Sequence, residues 1–238
     1  MTVKLALAKW ALGPVFLTQG KWVRRETPVL PEPAGPRTGV AGDGPLLRLL
    51  VLGDSAGAGV GAATQDEALA GRIVSRLAST RRIEWRVVAR TGATTASTIR
   101  HLERHEPFTA DVVVTSLGVN HVTGDVGVEK FLALQAHLHG LLREKFGTRL
   151  VLASGLPPMH LFPALPQPLR WYLGERAGEL DRAIAQWLTV SNGAQHLPFR
   201  GEVDAVHMAA DGFHPGPAVY DAWGEAAARR IEAYFQRT

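Results

Sequence analysis

Apolar residues along this chain fall into two alternating rhythms: short continuous runs, and longer stretches at helical spacing. Runs at 46–52 (interrupted only by Arg48), 85–89, 111–117, 149–154 and, more weakly, 195–199 have the length and β-branched content of strands buried on both faces. Between them, 66–79 carries Leu69, Ile73, Val74 and Leu77 at helical intervals, and a shorter segment carries Ile99 and Leu102. The stretch 129–146 repeats Phe131, Leu134, Leu138, Leu141, Leu142 and Phe146, with Gly147 as its stop. Two further helices are expected around 173–188 and over 218–235, the latter presenting Val219, Trp223, Ala227, Ile231 and Phe235. Strands alternating with helices predict an α/β domain with a mostly parallel, five-stranded sheet covered on both faces.

The first 45 residues break this pattern. Leu5–Leu17 is mostly apolar, but Lys9 interrupts it, and Gly13-Pro14 is expected to kink or end a helix. The stretch is too short to span a bilayer, and Ala6-Leu7-Ala8 precedes any hydrophobic core that a signal peptide needs. Trp10, Phe16 and Trp22, together with Lys9, Lys21, Arg24 and Arg25, suit peripheral membrane contact through residues 1–27 or a seat over an apolar groove. The other reading is a helix packed on the domain. Residues 28–45, rich in proline and glycine, read as an extended linker. The expected division is therefore 1–45 and 46–238, in a cytoplasmic protein, with peripheral membrane contact as one of the two readings of its first segment.

Composition narrows the function. A chain of 238 residues, 46% of them hydrophobic, suffices for one well-buried domain. The net charge of +4 reads as scattered arginines, and no basic run interleaved with aromatics supports nucleic-acid binding. The absence of cysteine excludes disulfides, thiolate metal sites and a cysteine nucleophile.

The candidate chemistry lies beyond strand ends. Gly53-Asp54-Ser55-Ala56-Gly57 turns sharply after the first run and leaves the Ser55 hydroxyl where open α/β sheets place their sites. A serine needs a base and an oxyanion hole. Asp211-Gly212-Phe213-His214-Pro215 offers His214 as the base, with Asp211 to orient its ring. The Ser55 and Gly92 backbone N–H groups and the Asn120 amide are candidate oxyanion donors. Asp54 reads mainly as a brace for its loop. The proline-rich loop 155–169 looks like a substrate-facing wall carrying Met159 and Phe162, or else like a loop packed on a helix. Asp54, His121, Met159, Phe162 and Phe213 are the candidate substrate contacts.

Two other motifs point elsewhere and fail on context. The G-x-S-x-G match at 53–57 follows the first strand, and its acid and histidine share one loop, unlike an α/β-hydrolase elbow. The dinucleotide-type glycines at 57–62 have only Glu84 as an acid, at the wrong end of its strand. The pairs His101/His105 and His137/His139 would need a third metal ligand from elsewhere and lie away from the predicted strand ends, so they read as solvated helix faces; the serine chemistry calls for neither a metal nor a cofactor.

Taken together, Gly53-Asp54-Ser55, Gly92, Gly118-Val119-Asn120 and Asp211-Gly212-Phe213-His214 resemble the four blocks of the SGNH (GDSL-type) hydrolases, most of all bacterial esterases and lipases. The resemblance implies a flavodoxin-like three-layer α/β/α sandwich and a Ser55–His214–Asp211 triad. It further implies an oxyanion hole of Ser55, Gly92 and Asn120, and hydrolysis of medium- to long-chain esters of small molecules or lipids. A thioesterase or lysophospholipase is the nearest alternative, and a non-catalytic acyl-binding, membrane-associated protein the more distant one. His121 stands where the family usually has aspartate. Oligomeric state is not readable.

Overall fold

The computed structural model describes residues 2–199 and 201–237. Its elements, in chain order, are α1 (Val3–Glu26), β1 (Thr38–Ala41), β2 (Leu46–Gly53), α2 (Ser55–Ala58), α3 (Leu69–Leu77), β3 (Arg82–Ala89), α4 (Thr95–Arg104), β4 (Val112–Ser116), α5 (Val119–Thr123), α6 (Val128–Phe146), β5 (Leu150–Ser154), a 3₁₀ turn (Met159–Leu161), α7 (Leu169–Leu188), β6 (Ala194–Leu197) and α8 (Pro217–Phe235). The strands pair in the order β1-β3-β2-β4-β5-β6. All neighbours are parallel except the antiparallel β1–β3 pair. From the first parallel strand onward this is the flavodoxin order, whose direction of winding reverses between β2 and β4.

Side-chain alternation along each strand divides the core into two layers. Leu50, Leu52, Val113, Val151 and Ala153 face α4, α6 and α7. Leu47, Leu49, Val51, Val112, Val114, Leu150 and Leu152 face α3 and α8. Helices on both faces explain why these strands read as continuous apolar runs.

Two expectations change. The sheet has six strands, because Thr38–Ala41, inside the stretch expected to be a linker, hydrogen-bonds along β3. The helix expected to break at Gly13-Pro14 continues unbroken to Glu26. Pro14 lies on the exposed side, where its missing N–H costs one hydrogen bond, while Leu5 and Phe16 stay buried on the other side. The Phe16 and Tyr172 rings stack at 4.6 Å, fixing α1 along α7. The fully buried Arg176 side chain of α7 is compensated by Glu179 at 2.5 Å and the Val126 carbonyl at 2.6 Å.

Candidate active site

The site forms where the winding reverses, at the carboxyl ends of β2 and β4. β2 ends at Gly53, where a side chain is impossible: a Cβ there would lie 2.8 Å from the Ser116 carbonyl oxygen. Asp54 then caps the single turn α2, its Oδ1 accepting from the Ala56 N–H at 3.1 Å and from the Ser116 hydroxyl at 3.2 Å. Asp54 is therefore a brace between β2 and β4. Burial pushes its carboxyl up to about 6, against the opposing pull of hydrogen bonds from Ala56, Ser116 and Gly57 and of the nearby His214. Ser55 occupies the first position of this turn, half-buried.

The partner groups come from the loop before α8. His214 Nε2 lies 2.9 Å from Ser55 Oγ, across 159 residues of sequence. On the other side of the ring, His214 Nδ1 lies 2.5 Å from Asp211 Oδ2. The backbone N–H groups of Phe213 and His214 both donate to Asp211 Oδ1 at 2.9 Å. Burial works against ionisation of Asp211, but hydrogen bonds from the His214 ring and from both backbone amides outweigh it. The carboxyl thus stays below its ordinary range and is anionic at neutral pH. Serine, imidazole and carboxylate form one hydrogen-bonded row, able to move a proton off the serine while stabilising the resulting imidazolium.

The loops after β3 and β4 supply the other predicted polar groups. Gly92 sits at φ +76°, a backbone conformation suited to glycine, with open space on the side where a Cβ would project. The Asn120 amide donates one hydrogen to the Ala93 carbonyl at 2.8 Å, linking the two loops and leaving its second N–H uncommitted. Neither residue belongs to the apolar wall of the site.

That wall is a cleft beside Ser55 and His214. Phe162 and Phe213 line it, their rings meeting edge to face at 5.2 Å. Two expected contacts lie elsewhere. Met159 is fully buried in the core under its 3₁₀ turn. His121 is also buried, its ring edge-on to Phe131 at 5.2 Å, with no hydrogen-bond partner for either ring nitrogen among the described residues. Burial pushes its pKa down to about 4, so the ring is neutral at pH 7. A residue one step past Asn120 on a helical turn points inward, which is why it reaches the core instead of the cleft.

Sequence reasoning missed several lining residues, among them Leu156, Phe199, Met208 and Trp223. Trp223 reads as core in the helical pattern, but its Nε1–H donates to Ser154 Oγ at 3.0 Å on the cleft wall. Tyr220 was also missed. Its buried hydroxyl donates to the Val60 carbonyl at 2.7 Å and lies 3.2 Å from the Ala56 carbonyl, tying α8 to the Ser55 turn. Nothing in spacing alone separates such a tyrosine from an ordinary core aromatic.

Residues 51–222 match the family described as GDSL-like lipase/acylhydrolase. No curated protein matches the sequence closely enough to count as a relative. Among solved structures, the lipase Lip_vut3 from a goat rumen metagenome superposes with a TM-score of 0.60 at 18% identity, covering 79% of this chain and 98% of that one. The psychrotrophic esterase EstA from Pseudoalteromonas sp. gives 0.60 at 17% identity, over 79% and 98%. A carbohydrate esterase family 2 enzyme from Corynascus thermopiles gives 0.62 at 17% identity, over 86% and 69%. At such identities the likeness establishes a common three-layer α/β/α fold.

Proposed function

From the premise that the chain belongs to the GDSL-like lipase/acylhydrolase family, we propose that it is a serine hydrolase cleaving carboxylic esters of apolar acyl groups. The observation that carries this reading is the 2.9 Å approach of His214 Nε2 to Ser55 Oγ, with Asp211 2.5 Å behind the ring. Ser55 Oγ attacks the ester carbonyl carbon as its proton passes to His214 Nε2. The negative charge that develops on the carbonyl oxygen is met by the Ser55 and Gly92 N–H groups and the free N–H of Asn120. Collapse expels the alcohol, which takes the proton from His214, and leaves the acyl group on Ser55. Water then attacks the acyl carbon, giving a proton to His214. Release of the acid returns that proton to Ser55.

Lipase, esterase and carbohydrate esterase all occur on this fold, and the cleft argues for the acyl-directed branch. Its wall is built from Leu117, Leu156, Phe162, Met208, Phe213 and Trp223, with few polar groups to meet a sugar. An apolar acyl chain packs along these side chains, with its ester carbonyl beside Ser55.

The test is paired. A fluorophosphonate probe is expected to label the wild-type chain at Ser55 alone, and Ser55→Ala to abolish both labelling and p-nitrophenyl ester hydrolysis while retaining the folded circular-dichroism spectrum. Labelling at another residue, or undiminished hydrolysis by Ser55→Ala, overturns the assignment. A folded wild type that neither labels nor turns over esters indicates acyl binding without catalysis.

A further inference from the structure

The excess charge of this protein has a location. α1 holds five of the 26 basic residues (Lys4, Lys9, Lys21, Arg24 and Arg25) and one of the 22 acidic ones, Glu26. The whole net charge of +4 therefore sits on this helix, and the rest of the chain balances at 21 residues of each sign. Lys21 and Arg24 make no salt bridge with any described residue.

The same helix carries half of the exposed large apolar side chains among the described residues, six of twelve. Val3, Leu7, Trp10, Pro14 and Leu17 follow one another at spacings of four, three, four and three, which keeps them on one face. Trp10 is 87% exposed and Leu17 67%. The opposite face, with Leu5, Leu12, Phe16 and Val23, is already packed into the core. One apolar stripe thus holds α1 to the protein, and the second faces outward with cations beside it and Trp22 near its end.

We propose that α1 is a docking surface for an anionic lipid bilayer. The helix would lie along the headgroup layer, with Trp10 and its neighbours inserted and Lys21 and Arg24 on acidic lipids. Charge complementarity selects this occupant: a protein partner of ordinary composition meets no requirement for Lys21 and Arg24 standing unpaired beside an apolar stripe, whereas an acidic bilayer supplies both halves. No helix among the described residues is long and apolar enough to cross a membrane, so the contact is along the surface. The matched family region begins at residue 51, so this helix lies outside it.

Its attachment points give the docking a direction. Lys9 pairs with Asp125, just beyond α5. Gln19 donates to the Gln167 carbonyl at 2.6 Å and accepts from the Leu169 N–H at 3.1 Å, at the end of the loop that carries Phe162. Both segments leave the carboxyl ends of strands, β4 and β5, the same end of the sheet as Ser55. A bilayer held by α1 is therefore adjacent to the elements that frame the cleft.

The test uses the full chain, a sedimentation assay and tryptophan fluorescence, so it does not depend on the hydrolase assignment. Vesicles of two parts phosphatidylcholine to one part phosphatidylglycerol are expected to co-sediment the protein and shift its emission to the blue, whereas pure phosphatidylcholine binds far less. The double variant Trp10→Ser/Leu17→Ser is expected to lose about tenfold or more in partition, and Lys21→Glu/Arg24→Glu at least fivefold per charge. All these side chains face solvent and stand apart from the Ser55 site, so hydrolysis of a short water-soluble ester should be unchanged in both variants. Equal binding to the two vesicle types, or no binding to either, overturns the proposal. So does a wild type that elutes as a dimer, ignores vesicles and becomes monomeric in Trp10→Ser/Leu17→Ser, since the stripe is then an interface between two copies.

Discussion

Replacing His121 with leucine should make this protein more resistant to acid, by an amount the structure sets. His121 is 2% exposed, and neither ring nitrogen meets a protein partner among the described residues. Burial lowers its pKa from the ordinary 6.5 to about 4. As pH falls, the unfolded chain therefore takes up the proton first. The native contribution is intact above 6.5 and drains away between 6.5 and 4, with stability falling as acidity rises. At about pH 5 the loss from this one ring is about 2 kcal/mol. His139, lowered to about 4 by burial and by Arg143, acts in the same direction. Asp54, raised to about 6, acts in the opposite one, favouring the folded state as pH falls from 6 toward 3.8. Both remain in the variant and cancel in the comparison. Urea titrations followed by tryptophan fluorescence give the difference in unfolding free energy at each pH. His121→Leu should equal or exceed the wild type at about pH 7.5, since it removes a buried polar group without partners, and its advantage should grow by about 2 kcal/mol by about pH 5. A difference that stays constant over this range refutes the argument, because it means the ring already shares a proton or a partner in the folded state.

Two further substitutions test the frame of the site. Asn120→Ala is expected to lower kcat by about 10²–10³ with KM nearly unchanged, and a kcat within about threefold of wild type in steady-state assays removes Asn120 from the oxyanion hole. Tyr220→Phe leaves the Val60 carbonyl without its donor and should cost about 1–3 kcal/mol of stability, with a lower kcat as the Ser55 turn loosens. Unfolding free energy and kcat both at wild-type values contradict that bracing role.

What could be read in advance was whatever depends on near neighbours in sequence. Five strands and the main helices followed from periodicity because burial on both faces leaves continuous runs such as Val112–Val114. Asp211 and His214, three residues apart, could be paired on paper because one turn closes the distance. β1 was hidden because Thr-Gly-Val-Ala has no apolar rhythm and is held to β3 by backbone hydrogen bonds. α1 continues through Pro14 because packing against α7, which the helix's own sequence does not encode, holds both halves. Met159 and His121 looked like contacts since each sits beside site residues, and only the third dimension turns them toward the core. The net charge looked dispersed until acids elsewhere were seen to match every base outside α1.

Mounting Asp211 and His214 on one short loop has a consequence for how the protein tolerates thermal drift. Hydrogen bonds from Phe213 and His214 back to Asp211 make the pair a single rigid piece. Sliding of α8 or breathing of the sheet then carries ring and carboxylate together, so their mutual alignment survives. Only one gap, from that piece to the serine, is left to be tuned by the remainder of the molecule, and random change far from the pocket has one distance to spoil instead of two.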